Sequence, residues 1–234
     1  MTSLVQPVRV FIDPLDGTRA AVEARRWVLP LLILGLCVSA SGTLFSLRWD
    51  ASPDVIRQLQ SSGQLMGLSE ADLLDKIQTE SRKALVGGVA KGVLLMPLMA
   101  LALACILWVV SWLFDRPAPF ERLMSAAAIA LLPIALYHLI FTLCVAAQHT
   151  ITVSRVVNLV PSNLGVVLQG LSPKMQRVAS AVDFFNLWST GLLGLGFSAA
   201  TGMSRRRALL IAVALYAMYA GVFLIGLPGQ GGGR

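Results

Sequence analysis

The stretch from Asp183 to Gly202, DFFNLWSTGLLGLGFSAATG, followed by Ser204-Arg205-Arg206-Arg207, decides the fold. No charge interrupts it from Phe184 to Gly202. A bilayer crossing takes about 20 apolar residues at about 1.5 Å each, which this run supplies. In water so many glycines would disfavour a helix, each by roughly 1 kcal/mol relative to alanine. In lipid the backbone has no water to turn to, and glycine lets a neighbouring helix approach. Gly194, Ser198 and Gly202 recur four apart and, with Gly191, form a candidate packing stripe. The arginines behind them read as a stop signal that holds this end in the cytoplasm.

Composition carries the membrane reading to the whole chain. Of 234 residues, 56% are hydrophobic and 13% charged, against about 25% charged in soluble domains. The mean hydropathy is +0.74. The net charge of +7 comes from basic residues dispersed among loops that flank apolar runs, not from a basic face interleaved with aromatics, so it does not indicate nucleic acid. Cys37, Cys105 and Cys144 fall inside apolar runs and read as reduced thiols rather than a disulfide framework.

Outward from the deciding stretch, four further spans are expected. Residues 1–26 form a cytosolic tail in which Asp13-Pro14 and Asp16 start a short surface helix. Its Arg19, Arg25 and Arg26 lie near lipid phosphates. Span one covers residues 27–47. A cleaved signal peptide competes with it at Ser39-Ala40-Ser41, but the leader and the apolar core are both too long. Residues 48–86 form an outer helical loop, in which Ser69 with Glu70 and Asp72 starts a helix bearing the stripe Leu73, Leu74 and Ile77. That helix either lies on the outer surface or continues into span two. Its stripe is a docking surface for a partner or, as the blander alternative, packs on its own bundle.

Span two covers residues 89–114, with Gly88 and Gly92 at a close-packing spacing, a kink at Pro97, and Trp108 and Trp112 near the inner interface. The prolines of Asp115–Arg122 enforce a turn. Span three covers residues 123–147, with Pro133 as a second kink and His138 near its middle. An ionisable group at that depth is a functional candidate by default. A neutral imidazole bonded to a neighbouring helix is the simpler reading. No carboxylate or second histidine shares the span, so no metal site and no cofactor are expected. Residues 164–171 are apolar but short and read as re-entrant or interfacial. Asp183 caps span four, residues 184–202, or pairs with Arg155 or Arg177. Span five covers residues 208–227 and a flexible tail covers 228–234. Inner and outer segments each hold nine basic residues, but the inner ones are denser, which favours an inside N-terminus and an outside C-terminus.

Taken together, the Asp13-Pro14 helix start, the Leu68–Lys83 outer helix, Pro119-Phe120 ahead of span three, and Asp183-Phe184 through Trp188 to Gly196 resemble a bacterial member of the Yip family, named for interaction with Ypt/Rab GTPases. The resemblance covers roughly residues 10 to 225. It implies an all-α, five-pass inner-membrane protein with a cytosolic N-terminus and no catalytic residues. Eukaryotic relatives act in vesicle traffic, and some bacterial relatives look like accessory subunits of MacAB-type ABC exporters. The expectation is a scaffold or adaptor that contacts lipid and other membrane subunits, such as a permease, an ATPase or a periplasmic adaptor, or a second copy of itself. Leu73, Leu74, Ile77, Pro119, Phe120, Asp183 and Trp188 are its candidate docking residues. The rival is a small transporter or channel lined by spans two to four around His138. An intramembrane enzyme ranks last, for want of a metal motif, a Gly-x-Ser-x-Gly or paired acids.

Overall fold

The structure is a computed structural model that describes residues 5–156, 159–168 and 170–225. Every regular element among the described residues is helical. Two isolated bridges, Trp49 with Ile151 and Asn163 with Asp183, are the only extended pairings among them. Among the described residues, three helices are long and apolar enough to cross a membrane: Val28–Arg48, Glu70–Leu113 and Phe120–Ala146.

The leader holds two helices where one was expected, α1 (Val5–Ile12) and α2 (Pro14–Glu23). Asp13 separates them. Its Oδ1 accepts from Asp16 N–H at 3.2 Å, and Pro14 has no N–H to continue α1. The two fold back on each other at Gly17, where an added Cβ would sit 2.9 Å from Val10 Cα. The hairpin packs into the bundle. Val10 and Val22 are fully buried in the largest apolar cluster, together with Leu123, Phe197 and Ala208.

Helix α3 (Val28–Arg48) enters with Pro30 in its first turn, and α4 (Ser52–Ser61) follows beyond a short turn. Helix α5 (Glu70–Ala90) starts at Ser69, whose Oγ accepts from Asp72 N–H at 3.2 Å. It runs without a break through a π-helical segment, Lys91–Leu95, into α6 (Met96–Leu113). Of the two readings of the outer helix, the one that continues straight into span two holds, so the helix of span two begins at residue 70. The kink expected at Pro97 takes the form of the π turn, in which Met96 N–H reaches back to Lys91 O. A widened turn of this kind makes room for a ring that would otherwise strike the preceding carbonyl. Pro133 does interrupt its helix. Leu131 ends α7 (Phe120–Ala130) and starts α8 (Leu132–Ala146).

After α8, Ile151 N–H bonds Arg48 O at 2.8 Å and Asp50 N–H bonds Ile151 O at 3.0 Å, which ties the ends of α3 and α8 together. Single turns α9 (Val153–Val156) and α10 (Leu164–Val167) and the helix α11 (Pro173–Ala181) lead to α12 (Phe184–Thr201). Of the run 164–171, the structure makes residues 164–167 one helical turn, capped by Asn163. Helix α13 (Arg205–Tyr219) folds back on α12 and passes into a π segment, Ala220–Ile225. The tail 228–234 lies outside the described residues. Gly202, at φ +69°, makes the turn between α12 and α13, a conformation other residues adopt only with strain.

Candidate functional site

Glycine sets how closely the helices approach. An added Cβ on Gly42 would sit 2.6 Å from Gly88 Cα, and one on Gly92 would sit 2.4 Å from Gly35 O. Helix α3 thus crosses α5 and the π segment backbone to backbone, through Gly35, Ser39 and Gly42 on one side and Gly88 and Gly92 on the other. Ser39 Oγ donates to Val89 O across the seam at 3.3 Å. The α3 half of this seam was missed, although its spacing of four and three residues places all three positions on one helix face. In α12 the expected stripe is only partly realised. An added Cβ on Gly194 would sit 2.8 Å from Leu209 Cα, and one on Gly196, which the stripe omitted, would sit 2.8 Å from Ala126 Cβ. Gly191 and Gly202 face open space. Ser198 Oγ donates to Met203 O at 2.7 Å and so closes the end of its own helix. The four positions share one helix face, but of the three glycines only Gly194 falls where a neighbouring backbone crosses it.

His138 is partnered. Its Nδ1 lies 2.7 Å from Ser41 Oγ, and that hydroxyl also donates to Val38 O at 2.9 Å. The pair bridges α3 and α8. Thr142 Oγ1 donates to His138 O at 2.7 Å. Ser111, Ser125, Thr190 and Thr201 likewise donate to carbonyls three or four residues back. Among the described residues, no three of the His, Cys, Asp and Glu side chains gather as a ligand set.

Asp183 joins the start of α12 to the Ser162 loop. Its Oδ1 accepts from Asn186 N–H at 3.0 Å and caps α12. Its Oδ2 accepts from the Ser162 hydroxyl. Leu164 N–H to Val182 O and Phe184 N–H to Ser162 O lace the two loops on either side. Nearby, the Tyr216 hydroxyl of α13 donates to Ala181 O. The aspartate is therefore a junction inside the chain, its carboxylate engaged from within.

Three other candidates for docking are also packed from within. Leu73 and Ile77 pack on Ala51, Val55 and Leu59 of α4, leaving Leu74 exposed. Trp188 meets Phe11 edge to face at 5.2 Å and Phe184 at 5.5 Å, so it seats the N-terminal hairpin. A sequence stripe identifies an apolar face but not what covers it, and here α4 and α1 are the covers. Pro119 and Phe120 remain exposed, with Pro119 capping α7.

A cleft of about 370 Å³ opens where the hairpin meets α3, α7 and α8. Its lining includes Val10, Ala21, Ile129 and Leu132, with Arg25, Arg26 and Trp27. Arg25 Nη1 donates to Glu121 Oε2 at 2.6 Å, joining the hairpin to the start of α7.

A family model described as the Yip1 domain matches residues 8–227 of the chain. No curated protein and no solved structure matches it.

Proposed function

The chain belongs to the Yip1 domain family, and from that membership we propose that it is a non-enzymatic membrane scaffold, an adaptor subunit of a larger membrane complex of the MacAB-type exporter kind. The observation that carries the reading is the Glu70–Leu113 helix. At 44 residues it is about 66 Å long, roughly twice the hydrocarbon core of a bilayer. Only 22% of its most apolar window is buried against the rest of the chain. A rod of that length stands at the edge of the bundle and extends beyond the bilayer, braced there by α4. It offers one face to membrane subunits and, around exposed Leu74, another to a subunit outside the membrane.

In this reading α12 and α13 add two crossings to the three long apolar helices. The protein passes five times through a bacterial inner membrane, with a cytoplasmic N-terminus and a periplasmic C-terminus. The dense basic cluster Arg205–Arg207 supports that orientation. The consumption of His138 by Ser41, and of the Ser111, Ser125 and Thr190 hydroxyls by local carbonyls, supports a packed bundle over a polar path.

Affinity purification from native membranes in mild detergent, read by mass spectrometry, tests the proposal. Recovery of an ATPase, a permease or a periplasmic adaptor is the expected result. Purification of the chain alone, together with solute flux in liposomes that His138→Ala abolishes, would replace the scaffold with a transporter.

A further inference from the structure

The cleft at the foot of α3 combines features that no helix-packing role requires. Helix α2 ends in a paired motif in which Arg26 N–H bonds Ala21 O at 3.0 Å and Arg25 N–H bonds Val22 O at 3.1 Å. In that motif the residue at Arg25 takes a left-handed backbone, here φ +54°, and glycine is the residue that normally does so. The chain places an arginine at a position where its backbone is strained. That arginine lines the cleft, and its Nη1 bond to Glu121 leaves further donors of the guanidinium fork unused by that contact.

Helix α3 begins two residues beyond Arg26 and has no side-chain cap. The N–H groups of Val28 and Leu29 have no carbonyl within the helix to bond, and both residues line the same cleft. The positive end of a 21-residue helix and two guanidinium groups therefore converge at one mouth. The walls behind it are apolar. The mouth lies at headgroup level, because Trp27 sits there at the start of a long apolar helix and the exposed Arg25–Glu121 pair lies beside it. At about 370 Å³ the cleft is within the range of small-molecule sites.

We propose that this cleft binds one anionic phospholipid. The phosphate sits on Arg25, Arg26 and the N–H groups of Val28 and Leu29. The upper part of one acyl chain lies along Val10, Ala21, Ile129 and Leu132. The occupant is a lipid rather than a soluble phosphate because the apolar walls form most of the lining and the mouth faces the bilayer surface.

The test uses the purified full-length chain in detergent, titrated with phosphatidylglycerol or with phosphatidylcholine of the same acyl chains and followed by native mass spectrometry and thermal shift. The wild type is expected to prefer the anionic lipid by roughly tenfold, the scale of a charge-assisted contact. The double variant Arg25→Gly/Arg26→Gln should lose the preference. Glycine keeps the left-handed turn, so the loss does not come from unfolding. Arg26→Gln alone, at an exposed position, is the second variant should the double one not fold, and it should reduce the preference several-fold. Lysine at both positions should retain part of it. Equal affinity for the two lipids, or an unchanged preference in the glutamine variant, overturns the proposal. So does displacement of the lipid by glycerol phosphate at equal concentration, which would show that headgroup chemistry alone fills the site.

Discussion

Replacing Gly42 with alanine measures how close α3 and α5 are. The new methyl carbon would lie 2.6 Å from Gly88 Cα and 3.0 Å from Gly88 C, both backbone atoms that no rotamer change can move. Carbon atoms rest at about 3.5 Å or more, so the helices must part by about 1 Å. That gap forfeits up to about half of each dispersion contact along the seam. It also stretches the Ser39–Val89 bond beyond range, a loss of about 0.6 kcal/mol for an average interhelical bond in a membrane. Together with ordinary overpacking strain, the cost is roughly 2 kcal/mol. Reversible unfolding in bicelles, by denaturing-detergent titration or steric trapping, reads it directly. Gly191→Ala in α12 is the control. It meets open space and should be neutral or stabilising by up to about 1 kcal/mol. Gly42→Ala/Gly88→Ala should cost less than the sum of the singles, since one separation relieves both clashes. A Gly42→Ala protein as stable as the Gly191→Ala control would refute the close crossing.

Three further outcomes follow from the same geometry. In a double-mutant cycle, Ser41→Ala and His138→Ala should show a coupling of about 0.6 kcal/mol, and at most about 1.7, read by the same unfolding assay; zero coupling would mean the pair does not form. Asp183→Ala should destabilise by at least about 1 kcal/mol, the typical cost of a lost helix cap, with a lower thermal midpoint and earlier proteolysis in the loops around Ser162. Trp188→Ala should release the N-terminal hairpin, so that limited proteolysis cuts between α2 and α3 sooner, while Glu121→Gln, which breaks only an exposed ion pair, should shift stability by no more than about 1 kcal/mol.

The sequence by itself determined the solvent and the element type. A charge-free run such as Phe184–Gly202 satisfies its backbone in lipid only as a helix, and 56% hydrophobic composition extends that logic to most of the chain. It also located the helix starts at Asp13, Ser69 and Asp183, because a side chain that caps a helix acts within three residues of itself. The tertiary structure alone decided the rest, since apolar side chains and glycines do not record which neighbour they meet. Leu73 and Ile77 could have faced a partner but face α4, and Trp188 could have docked another protein but holds α1. Gly191 and Gly194 look alike in the chain, yet only Gly194 touches another helix. His138 was legible as a polar group at depth, but its serine lies 97 residues away on α3. The cleft at Arg25 was least legible of all, because its walls come from helices more than 100 residues apart and its mouth from a left-handed turn that arginine does not announce.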